Sequence, residues 1–316
     1  LLRSLFFLIC PYIGETLNVS IEIVLIELRY RSYFMTRIIL FLATNFAIMI
    51  VLGAVMAVAM PMLGIPSDGY LGLLIMCSAF GMGGSFISLA ISKWMAKRSV
   101  GAHVIEQPSN NTEKWLLRTV ERQAQAAGIG MPEVALYQSP VVNAFATGMN
   151  KNNALVAVST GLLSKMTQDE VEAVLGHEVS HIANGDMVTL SLIQGVMNTF
   201  VYFFAQIAAS ALSRGNDSRM MRFMLTMVFQ MVFGALASVI VMWFSRRREF
   251  RADIGGADLA GKQKMIAALK RLQGDQQDTE LDDGLTAFGI KGKLNAARLF
   301  TTHPPLEDRI AALEAQ

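Results

Sequence analysis

The chain has 316 residues, of which 53% are apolar and only 16% charged, and its mean hydropathy is +0.42. That balance excludes an ordinary soluble globular protein, and a net charge of +2 is too small to argue for a nucleic-acid partner. Cys10 and Cys77 both lie in apolar stretches and form no CxxC, which argues against a disulfide framework and against a thiolate zinc site.

Residues 1–34 carry a short apolar run, Leu5–Ile13, with no convincing cleavage site after it. Met35-Thr36-Arg37 ahead of a long apolar run is the expected true start, so 1–34 is read as an N-terminal extension without function. Ile38–Ser67 and Gly69–Ser92 contain no charge, and each exceeds the roughly 20 residues that cross a hydrocarbon core. Pro61, Gly64, Pro66 and Gly69 punctuate their junction, which predicts a first transmembrane hairpin over 35–92. Arg37 precedes the hairpin and Lys93, Lys97 and Arg98 follow it, so both flanks are expected in the cytoplasm. Gly81, Gly83 and Gly84 predict close helix packing; no strand precedes them to make a nucleotide loop.

Residues 93–186 form a first polar block. Glu113–Ala127 is amphipathic and ends at Gly128. Glu133–Tyr137, Val141–Thr147 and Ala154–Ser159 read as short strands between turn residues. Thr167 and Glu170 have the spacing of a capping box, opening a helix to about Asn184 that Gly185 breaks. Asp186 is expected to cap the next segment. Residues 187–245 form a second hydrophobic hairpin, Met187–Ser213 and Phe223–Ser245, joined by a connector with Arg214, Arg219 and Arg222. Arg246, Arg247, Arg248 and Arg251 follow it, so the charge bias is weak: the pair spans, re-enters or packs on the polar domain. In every case its two ends return to one side. Residues 246–316 form a second polar block that begins with a helix leaving the membrane and ends with helix Leu306–Glu314.

The chemistry centres on His177-Glu178-x-x-His181. Four residues apart on a helix, the two imidazoles share a face and can bind one metal, with Glu178 beside a metal-bound water. A hydrolytic zinc needs a third protein ligand. A metzincin would supply Gly and His at positions that here hold Asn184 and Met187, which leaves a carboxylate on a second helix. Glu249 is the best candidate, and Asp253, four residues on, would accept the outward N–H of a ligand histidine. His303, stiffened by Pro304 and Pro305, is the candidate oxyanion donor. Asn143, Ala144 and Phe145 suit an edge strand that binds extended substrate.

GHEVSHIANGD, the REFRAD segment, NAFATG at Asn143–Gly148 and THPPLEDRI together resemble the HtpX heat-shock membrane metalloproteases, gluzincins related to the CAAX-prenyl proteases. The likeness covers nearly all of 35–316. It implies His177, His181 and Glu249 as ligands of one zinc ion per subunit and Glu178 as catalytic base. It also implies degradation of damaged or misfolded membrane proteins in the bacterial inner membrane, with a cytoplasmic active site. The expected fold is therefore mainly α, of the α+β type: two transmembrane helical hairpins and a zincin-like cytoplasmic protease domain, in contact with lipid and unfolded membrane-protein substrates. The competing readings are a CAAX-type prenyl-peptide protease and a non-catalytic membrane adaptor. The first would need a chamber of more helices, and the second would have no use for Glu178.

Overall fold

The structure, a computed structural model, describes residues 69–213, 219–282 and 303–316. The expected extension 1–34 and the apolar segment 38–67 lie outside the described residues. Helix α1 (Tyr70–Val100) is followed by strand β1 (His103–Val104), helix α2 (Asn111–Ala126) and strands β2 (Glu133–Tyr137), β3 (Ala144–Asn150) and β4 (Asn153–Ser159). Helices α3 (Thr160–Lys165), α4 (Gln168–Asn184), α5 (Asp186–Leu212), α6 (Arg219–Ala260), α7 (Lys262–Asp282) and α8 (Leu306–Glu314) complete it.

Three of these helices, α1, α5 and α6, are long and apolar enough to cross a membrane. Helix α1 exposes Phe80, Ile87 and Trp94, and α6 exposes Phe223, Met231, Leu236 and Trp243. In water such stripes would be a liability; against lipid tails they are the low-energy surface. Each stripe ends where an arginine covers a tryptophan: Arg98 lies 5.8 Å from the Trp94 ring and Arg247 4.6 Å from the Trp243 ring. Tryptophan with a snorkelling cation is the usual signature of the water–lipid boundary.

Glycine lets α1 and α5 touch. A Cβ on Gly81 would lie 2.6 Å from the Thr199 backbone nitrogen and 2.9 Å from the Gly195 oxygen. Among the described residues nothing lies within 4 Å of a Cβ on Gly83 or Gly84, and the close packing expected of the three glycines is seen at Gly81, with Gly195 opposite. At the far end of α1, Lys93 and Lys97 reach Glu133 on β2 at 2.9 and 3.1 Å, tying the helix to the sheet.

The sheet order is β1-β2-β4-β3, with β2 and β4 parallel and the outer pairings antiparallel. Strand β3 is therefore an edge. It begins at Ala144 rather than the expected Val141. The Ser159 hydroxyl is the reason: it donates to the Val141 carbonyl at 2.8 Å and accepts from the Asn143 N–H at 3.1 Å, wrapping 141–143 around one side chain. The helix α3 that follows was not expected. It is short, and Ser159 also caps it, accepting from the Leu162 N–H.

The main core lies between the sheet and α2, α4, α7 and α8, around Leu116, Val120, Val156, Leu175, Leu269 and Leu313. Helix α4 begins at the expected capping box, with Thr167 accepting from the Glu170 N–H and Glu170 accepting from the Thr167 N–H. It ends at Gly185, whose φ of 66° is left-handed and so suits glycine. That same residue stands at the N-cap of α5 without a side-chain cap, so the capping role expected of Asp186 is not realised. Helix α6 has 42 residues, about 63 Å at 1.5 Å each, long enough to cross a bilayer and continue into the polar domain.

Candidate metal centre

Three elements meet at the polar end of the membrane helices. Helix α4 presents His177 and His181 one turn apart, with ring centroids 4.6 Å apart and edge-on. Helix α6 turns Ser245, Glu249, Ala252, Asp253 and Gly256 to its buried side, a repeat of three and four that keeps one face against α4. Glycine again sets the distance: a Cβ on Gly256 would lie 2.9 Å from the His177 backbone nitrogen.

The ligand-type atoms converge. His177 Nε2 and His181 Nε2 are 3.1 Å apart. Glu249 places Oε2 3.6 Å from the first and Oε1 3.3 Å from the second. An ion with ligands about 2.0–2.1 Å away in a tetrahedron separates those ligands by roughly 3.3–3.4 Å, which is the spacing found. The outer ring nitrogens face carboxylates. His181 Nδ1 is 2.7 Å from Asp186 Oδ2, and His177 Nδ1 is 3.0 Å from Asp253 Oδ1, although its N–H does not point along that line. Protons on both Nδ1 atoms leave lone pairs on both Nε2 atoms. Two nitrogens and a carboxylate then face one point without a hydrogen between them, an arrangement that repels itself and suits a cation. Burial disfavours a charged His181 ring, yet the Asp186 and Glu249 carboxylates outweigh it and hold its pKa up to about 10. A pocket that binds a proton so firmly is electrostatically built for positive charge.

Glu178 stands beside this cluster, partly buried on α4. Burial pushes its carboxyl pKa up, against the pull of His177 and His181, and the Ala146 backbone N–H donates to it. That contact joins the edge strand to the cluster. The Asn143 carbonyl accepts from the Ser159 N–H, so by alternation the backbone groups of Ala144 and Ala146 point outward. Asn143, by contrast, spends both its N–H and its carbonyl on Ser159.

His303 is the most exposed member. Its Nδ1 is 2.7 Å from Glu249 Oε2, while its side chain is 64% exposed. Arg309, one turn into α8, grips Asp253 through two hydrogen bonds of 2.7 and 2.5 Å and lies 3.7 Å from Glu249.

Of the sequence candidates, His177, Glu178, His181, Glu249, Asp253 and His303 face the cluster and Ala144 turns its backbone groups outward, whereas Asn143 and Phe145 turn theirs to β4, with the Phe145 ring against Tyr137. Three participants were not foreseen. Asp186 reads as a cap, because Asp after a helix-breaking Gly usually is one. Arg309 reads as an ordinary helical residue, because nothing local marks its partner Asp253, 56 positions earlier. Gly256 carries no chemistry, and its role is closeness alone.

Residues 110–316 match the model of the family described as Peptidase family M48. The chain belongs to that family. It is 61% identical over 285 residues to a protein named Protease HtpX from Idiomarina loihiensis, covering 89% of this chain and 99% of that one. It is 60% identical to another of that name from Stenotrophomonas maltophilia, and 60% identical to a Protease HtpX homolog from Desulfotalea psychrophila. In fold it resembles the crystal structure of S. mikatae Ste24p, with a TM-score of 0.58 at 17% identity, over 84% of this chain. The chain spans 64% of the length of that structure. The M48 chain is thus a multi-pass membrane metalloprotease, mostly helical with one small sheet.

Proposed function

We propose that this M48 metalloprotease is a zinc endopeptidase of the bacterial inner membrane. It hydrolyses misfolded or damaged membrane proteins at the cytoplasmic face, as part of protein quality control. The observation that carries this reading is the convergence of His177, His181 and Glu249 at tetrahedral spacing beside a partly buried Glu178. Two imidazoles and a carboxylate are a donor set suited to hydrolytic zinc, with one position left for water. The location is supported by Arg247 over Trp243, because Glu249 follows two residues later, about 3 Å along the helix. A site at that depth reaches polypeptide emerging from the bilayer.

His177, His181 and Glu249 would hold the ion. When bound, it supplies Lewis acidity, polarising the scissile carbonyl and lowering the pKa of a coordinated water toward neutrality. Glu178 takes the proton of the attacking water and returns it to the leaving amine; its raised pKa favours a carboxylate that can also act as an acid. Asp186 and Asp253 hold the two imidazoles in the tautomer that leaves Nε2 free. Ala144 and the Ala146 carbonyl present backbone groups to an extended substrate, a mode indifferent to sequence, while the Ala146 N–H holds Glu178. With Nδ1–H donated to Glu249, only a doubly protonated His303 has an Nε2–H to offer an oxyanion.

The test is metal content and cleavage measured together on detergent-solubilised protein with unfolded casein. Glu178→Gln should keep its zinc and lose cleavage by at least about a hundredfold, and Glu249→Ala should lose its zinc. Normal cleavage by the first variant, or full stoichiometry in the second, would refute the assignment.

A further inference from the structure

Helices α5 and α6, which lead to the metal centre, also enclose a groove of about 220 Å³, lined in part by Leu190, Gln194, Asn198, Ser238, Met242 and Ser245. Gln194 and Asn198 lie 8 and 12 residues beyond Asp186, roughly 12 and 18 Å along α5. Ser245 and Ser238 lie 4 and 11 residues before Glu249, roughly 6 and 16 Å along α6. The polar lining therefore runs from the metal centre into the depth of the bilayer. Amides in hydrocarbon are costly, and where they occur in membrane helices they face cavities with a use for them.

Gln194 Nε2 donates to Asn198 Oδ1 at 2.9 Å. That single bond leaves Gln194 Oε1 and Asn198 Nδ2, an acceptor and a donor, without a hydrogen-bond partner among the described residues. At the polar end the line continues: Ser245 accepts from Arg248, Arg248 donates to the Asp186 carbonyl at 3.0 Å, and Asp186 faces His181.

We propose that this groove receives an unwound stretch of a substrate's membrane segment and leads it to the metal centre. The proposal rests on the reading that membrane proteins are the substrate. An intact helix has already satisfied its own backbone and gains nothing from side-chain amides. An unwound chain has bare N–H and C=O groups that amides and hydroxyls can pair. A peptide bond must also leave its helix before Glu178 and the metal can reach it.

The experiment uses the full chain with zinc in liposomes and two probes. One is unfolded casein; the other is a single-span polypeptide with an apolar segment of about 20 residues. Asn198→Leu and Ser238→Leu keep the helices apolar and remove the polar lining. The ratio of single-span to casein cleavage should fall about tenfold, the scale of leaving a backbone group unpaired. An unchanged ratio overturns the proposal, as does a parallel loss of both activities. Independently, a photo-crosslinking residue at position 198 in the Glu178→Gln variant should capture the single-span probe and not casein; no capture overturns the proposal. If the wild-type chain cleaved neither probe, the hydrolase reading would fail, and the crosslink would still decide the groove.

Discussion

Replacing Gly256 with alanine tests the closeness on which the metal centre depends. The new Cβ would sit 2.9 Å from the His177 nitrogen and 3.1 Å from its Cα, both atoms of a rigid helix backbone. Carbon pairs are comfortable at about 3.5–4.0 Å, so α6 must back away from α4 by about half an ångström. Alanine gains roughly 1 kcal/mol over glycine inside a helix, and overpacking costs about 1–3 kcal/mol. The net loss is then about 0–2 kcal/mol. Gly274 in α7 provides the control, because its Cβ would meet nothing within 4 Å among the described residues. Gly274→Ala should stabilise by up to about 1 kcal/mol, so the difference between the two variants isolates the contact. Glu249 shares the face of Gly256 two turns away, and a shift of that size exceeds the roughly 0.2 Å tolerance of metal–ligand distances. Zinc affinity should therefore fall about tenfold in Gly256→Ala and stay unchanged in Gly274→Ala. Thermal unfolding of the metal-free protein and competition against a chromophoric chelator measure the two effects. Equal stability and equal affinity in both variants would refute the reasoning.

Asp186→Asn should weaken zinc binding about 10–100-fold without unfolding the protein, and the same chelator titration reads it. Asp253→Ala should do more, because the buried Arg309 loses its carboxylate partner at a cost of roughly 3–5 kcal/mol; chemical denaturation in detergent checks it. His303→Ala should lower kcat about a hundredfold with zinc content and KM near normal. Loss of zinc instead would mean that His303 serves mainly to hold Glu249.

Much of the centre was legible because helical spacing is arithmetic. A spacing of four from His177 to His181, and of four from Glu249 to Asp253, places each pair on one face before any contact is known. The capping box at Thr167 was equally readable, being a local bond pattern. Asp186 was not, since its local signal as a cap competed with a tertiary contact that only the reversal at Gly185 creates. Strand β3 starts late for a similar reason: Ser159, sixteen residues on from Asn143, takes the backbone groups that a ladder would have used. The glycines at 255 and 256 read as weak points in a helix. Their function lies in what α4 needs, which no pattern within α6 records.

The proposed ligand set is interrupted by two membrane helices and looks fragile, since 68 positions separate His181 from Glu249. A flexible loop of that length would carry a closure cost growing with the logarithm of its size. Helices α5 and α6 avoid it by packing antiparallel along their length, with Phe204 against Phe233 in the membrane and Arg248 against the Asp186 carbonyl at the mouth. The register of that pair is the register of the centre. Sliding α6 by one residue would carry Glu249 about 1.5 Å along its axis, several times what a zinc site tolerates, and would separate Arg248 from Asp186 at the same step. The membrane helices are thus the frame that fixes where Glu249, the proposed third ligand, stands, and Asp186, which faces His181, is the first residue of that frame.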